Sequence, residues 1–122
     1  MFEDADIISC YTWDNAIEDG IFIEISEVAK RIGFKFPTAI TSNLFYSYIE
    51  DGENTNSNLE RLLKSLKDYV TNNQVDSYAM FKFARHGNFD IDEDMISIFA
   101  VIEGRSPNNP EPIMTIMLPE DR

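Results

Sequence analysis

The chain has 122 residues, room for a single hydrophobic core, and its 43% apolar content, with nine Phe, five Tyr and one Trp, excludes a disordered acidic chain. Against 22 Asp plus Glu stand only 10 Lys plus Arg, and a formal net charge of −12 excludes direct nucleic-acid binding and favours encounter with basic surfaces. The lone cysteine, Cys10, excludes an internal disulfide and a cysteine-based zinc site, while an acidic start and the lack of a long apolar run argue against export and membrane insertion, leaving the cytoplasm as the expected compartment.

In chain order, Thr12 is placed to cap a short helix carrying Trp13, Ala16 and Ile17, and Gly20 supplies the permissive position that ends it. Residues 21–25 read as a strand, with Ile21, Ile23 and Ile25 on one face and Phe22 and Glu24 on the other. Ser26 is expected to cap a second short helix bearing Val28, Ala29 and Ile32 and stopped by Gly33; residues 34–37 are then extended, because Pro37 disfavours helix before it. A third helix is expected from about Ser42, with Leu44, Phe45, Tyr48 and Ile49 on one face and Asp51-Gly52 at its end.

Residues 51–58 read as polar loop and residues 59–72 as the principal helix, in which Leu59, Leu62, Leu63, Leu66 and Val70 form an apolar stripe and Ser57 with Glu60 a capping box. The last third reads as three antiparallel strands at residues 77–85, 95–103 and 113–118. In the first of them Ala79, Phe81 and Phe83 alternate with Tyr78, Met80 and Lys82, as in a sheet with one buried and one partly exposed face. The expected architecture is a single α+β domain over residues 1–122: short N-terminal helices and a strand, one long amphipathic helix, and a C-terminal antiparallel three-stranded sheet against which Leu62, Leu63 and Leu66 pack.

Charge is unevenly placed. Eight acids, including Glu3, Asp4 and Asp6, precede the first base, Lys30, and a second base-free stretch holds Asp90, Asp92, Glu93, Asp94 and Glu103. The spacing of Asp90, Asp92 and Asp94 imitates a calcium loop, but Met95 stands at the sharp-turn glycine and Val101 at the bidentate acid, so a solvated turn is the plainer reading and no metal is expected. His86 is the one histidine, and a Cys10 and His86 dyad lacks any sequence feature that would hold the two together. No nucleotide-binding, hydrolase or zinc-protease motif occurs, and no cofactor is expected.

Residues 2–12, the run Ala16-Ile17-Glu18-Asp19-Gly20, residues 33–41 and residues 112–121 resemble an uncharacterised bacterial family of small proteins found on chromosomes, plasmids and phages. The resemblance implies a stand-alone domain of unknown function from mobile-element neighbourhoods, where small acidic proteins block nucleic-acid-binding defence systems. It transfers no activity.

Three functional expectations follow, in order of preference. The first is an acidic protein-binding module, a mobile-element inhibitor that mimics nucleic acid, whose residues Asp90, Asp92, Glu93, Asp94, Glu3, Asp4 and Asp6 meet a basic partner. The second is a small enzyme or ligand-binding protein with a site near Tyr11, Trp13 and His86. The third is an oligomeric module, a homodimer formed through residues 113–118 as an exposed strand edge.

Overall fold

The computed structural model of the chain describes residues 12–73, 78–84 and 95–121. It is a mixed α and β fold, and its core lies between one long helix and one face of a five-stranded sheet.

Helix α1 (Trp13–Glu18) starts as its sequence dictates: the Thr12 hydroxyl accepts the Asn15 N–H at 3.1 Å and the Asn15 side chain accepts the Thr12 N–H, a reciprocal cap. Gly20, at a φ of 81°, turns the chain into strand β1 (Phe22–Glu24). Helix α2 (Ser26–Ile32) ends on Gly33 in the left-handed region, as expected of a glycine at this position. Ser26 does not cap it. Its hydroxyl accepts the Thr38 N–H at 3.0 Å and donates to Glu24 at 2.8 Å, so it fastens the start of the helix to the neighbouring strand, and Ile25 holds the cap position without a side-chain bond.

That neighbour is strand β2 (Thr38–Thr41), which the sequence did not disclose: four residues are too few for a period to show, and all four are buried. Helix α3 (Ser42–Leu44) opens on the Thr41 hydroxyl and passes into a π-helical turn (Phe45–Ile49), burying Leu44 and Ile49 as the apolar spacing requires. A 3-10 turn (Gly52–Asn54) runs directly into helix α4 (Thr55–Asn72), four residues earlier than residue 59. Ser57 therefore lies inside the helix and the Ser57 and Glu60 box is not formed; Thr55 bonds the turn instead, accepting the Asp51 N–H and donating to the Gly52 carbonyl.

Strands β3 (Tyr78–Ala84), β4 (Met95–Ser106) and β5 (Asn109–Met117) form the C-terminal antiparallel ladder, and the whole sheet has the order β1-β2-β5-β4-β3. β2 joins it by pairing parallel to β5, Thr38 opposite Met114 and Ile40 opposite Ile116. The expectation that residues 113–118 offer an edge is thus corrected. This segment is central, with β2 on one side and β4 on the other, because Ile113, Thr115 and Ile116 are each buried almost completely and only an interior strand covers both faces and both edges.

Leu59, Leu62, Leu63 and Leu66 of α4 pack with Phe81, Phe83, Ile98, Ala100, Met114 and Ile116 of the sheet. Each fully buried leucine contributes about 1.5–3 kcal/mol relative to an exposed one. Among the described residues α1 covers one end of the opposite face, where Trp13 packs with Ala39, Ile113, Ile17 and Phe22. At its other end Tyr78 and Met80 of β3 stand 62% and 45% exposed.

Candidate functional site

Between Gly104 and Ser106 the register of β4 on β5 shifts: Gly104 lies opposite Pro112 and Ser106 opposite Asn109, so Arg105 alone faces two residues, Pro110 and Glu111. An irregularity of this kind re-aims the side chain it carries. Arg105 reaches Asp14 of α1 at 2.7 Å and Glu111 across the hairpin at 3.0 Å, and its guanidinium lies 5.1 Å from the Trp13 ring centroid. Burial pulls the Arg105 pKa down, but the hydrogen bond and charge of Asp14, with those of Glu111, outweigh it, and the net direction is upward. A raised value in the folded state means that this cation contributes stability throughout neutral pH and loses it only as pH climbs through the raised pKa.

Beneath the guanidinium, the Trp13 indole N–H donates to the buried Thr115 hydroxyl at 3.1 Å, tying α1 to the central strand. Two open grooves flank Arg105. One, of about 480 Å³, runs along Thr12, Trp13, Phe22, Glu103 and Ser106. The other, of about 590 Å³, runs along Glu24, Lys30, Phe34, Lys35 and Glu111. The arginine is already neutralised by two carboxylates, so the arrangement can hold α1 against the hairpin but leaves no uncommitted cation at its centre.

The remaining charge lies outside this cluster. Glu18, Glu24, Glu27, Glu50, Glu53 and Glu103 are exposed, and among the described residues none of them has a basic partner. The one other ion pair among the described residues, Arg31 with Glu60 at 3.5 Å, is itself exposed and holds little. On α4, Arg61 sits 4.6 Å from the Phe83 ring centroid and hydrogen-bonds Asn58, and burial lowers its pKa.

Of the residues singled out in the sequence, Asp90, Asp92, Glu93, Asp94, Glu3, Asp4 and Asp6 lie outside the described residues, as do Cys10, Tyr11 and His86. Trp13 is described, and its indole is committed to packing and to Thr115. Sequence reasoning passed over Arg105. Its signal was its isolation, as the one base between residues 86 and 121. Among the described residues no three His, Cys, Asp or Glu side chains are grouped to hold a metal ion, and no helix is long and apolar enough to cross a membrane.

No curated protein and no solved structure matches the chain. A family of unknown function (DUF6573) matches it over residues 1–122, its whole length. The chain therefore belongs to that family.

Proposed function

We propose that this protein is a binding module whose partner presents a basic surface. The observation that carries the reading is the surplus of exposed carboxylates, Glu18, Glu24, Glu27 and Glu103 among them, that meet no basic side chain among the described residues of a chain with net charge −12. Exposed charges of this kind add little to stability, whereas a field of one sign accelerates encounter with the opposite sign. In its finer form the reading makes the partner a nucleic-acid-binding protein of a defence system, with the acidic rows standing in for phosphates and the module carried by a mobile element of bacteria, a plasmid or a phage. Asp90, Asp92, Glu93 and Asp94, together with Glu3, Asp4 and Asp6, are then the contact residues, working in the cytoplasm.

The test compares the wild-type chain with the variant Asp90→Asn, Asp92→Asn, Glu93→Gln, Asp94→Asn in capture from host lysate, followed by binding kinetics with the captured protein. The reading requires association that slows by an order of magnitude or so in the variant, and that weakens steeply between about 0.05 and about 0.5 M salt. A captured partner bound equally well by both chains at both salt concentrations overturns it.

A further inference from the structure

We propose that the groove between α1 and the β4–β5 hairpin receives a basic side chain, a lysine or an arginine, of the partner protein. The inference rests on the reading of a partner with a basic surface, and it says where that surface inserts. The groove encloses about 480 Å³, within the range of pockets that hold small groups. Its α1 wall is fixed in advance: Asp14 is bonded to Arg105 at 2.7 Å and the Trp13 indole to Thr115 at 3.1 Å, so entry does not have to order that wall. Trp13, Ala16 and Ile113 line the groove and are each nearly fully buried, which gives it an apolar floor. The methylene stem of a lysine or arginine lies well on such a floor while its charged head stays at the rim.

The charges say which head fits. Glu103 lies opposite Ile113 in the β4–β5 ladder, and residues paired across strands share a sheet face, so its carboxylate stands on the side where Trp13 packs on Ile113. It is exposed and meets no basic side chain among the described residues. Arg105, the other charged residue among those described that line the groove, already holds Asp14 and Glu111. Three carboxylates thus stand against one guanidinium. An anion entering here meets a surplus of its own sign, whereas a cation meets its complement in Glu103. The second groove beside Arg105 lacks this imbalance, because Lys30 and Lys35 line it together with Glu24 and Glu111; with Arg105 and its partner Asp14 counted, cations and carboxylates are equal there. Of the two, the groove along Trp13 is the one that selects a basic side chain.

Trp13 is the one tryptophan of the chain, so its single indole N–H resonance reports on this groove. A nona-arginine peptide added at low salt to the nitrogen-15-labelled wild-type chain should shift that resonance saturably, and fluorescence anisotropy of the labelled peptide gives the dissociation constant. Glu103→Gln should raise this constant about fivefold and shrink the indole shift. Glu53→Gln removes the same charge from an exposed position in the 3-10 turn before α4, and it should raise the constant by less than about twofold. Both changes are at exposed positions, so both variants should melt with the wild type. Peptide binding that leaves the indole resonance unmoved, or that weakens equally in the two variants, overturns the groove while the basic-partner reading stands. A wild-type chain that binds no basic peptide at low salt overturns both.

Discussion

Trp13 does two jobs with one side chain: its ring fills the space over Ala39 and Ile113, and its N–H satisfies the Thr115 hydroxyl, which is 1% exposed. Trp13→Phe keeps most of the apolar area but strands that hydroxyl, and urea unfolding should show a loss of about 1–3 kcal/mol. Adding Thr115→Val removes the stranded group, so the double variant should recover part of the loss; a double variant that is merely the sum of its singles would mean that the bond contributes nothing. From the sequence, Trp13 suggested a ligand site beside Tyr11 and His86, because an aromatic near a helix cap looks the same whether it serves a ligand or a core. Its hydrogen-bond partner, Thr115, stands more than a hundred positions away, where no local pattern could show it. Arg105 was hidden for the same reason, since Asp14 lies on a distant element and only the shifted register of the hairpin brings the two together.

At the scale of elements, what was legible was local. The Thr12 cap, the Gly33 stop and the α4 stripe from Leu59 to Leu66 each depend on residues within about one helical turn and stand where their spacing puts them, whereas Val70, expected to extend the stripe, is 37% exposed near the end of the helix. β2 was not legible because nothing within its four residues distinguishes strand from loop; its conformation is set by β1 and β5 on either side. The start of α4 was misplaced because a 3-10 turn carried the helix back past the polar residues that looked like its cap. The stripe itself makes a quantitative statement. Leu63 is fully buried between α4 and the sheet, so Leu63→Ala should lower stability by about 2–5 kcal/mol through lost burial and the cavity left behind, measured as a fall in melting temperature. An unchanged melt would remove α4 from the core.

For the molecule as a whole, charge opposes compactness. With a net charge of −12 and most of the described carboxylates exposed, self-repulsion is a standing cost of folding, and modest salt should relieve it. The melting temperature should therefore rise between about 0.02 and about 0.2 M sodium chloride, a range that brings the Debye length down to the spacing of surface charges. Glu18→Gln together with Glu27→Gln should raise the low-salt value and shrink the salt response. A melting temperature flat across this range would mean that the acids are already balanced within the fold. Which acids meet a partner was not legible from charge alone, because a base-free stretch reads the same whether it docks or is only hydrated.

β5 sits in the middle of the sheet although it comes last in chain order among the five described strands. As the chain leaves the ribosome, β1 with β2 and β3 with β4 emerge as two separate pairs, and neither can close on the other until residues 113–117 arrive to be inserted between them. The nascent protein therefore carries the apolar face of the β1 and β2 pair uncovered until β5 is made, and a surplus of negative charge of this size opposes association of such chains while they wait.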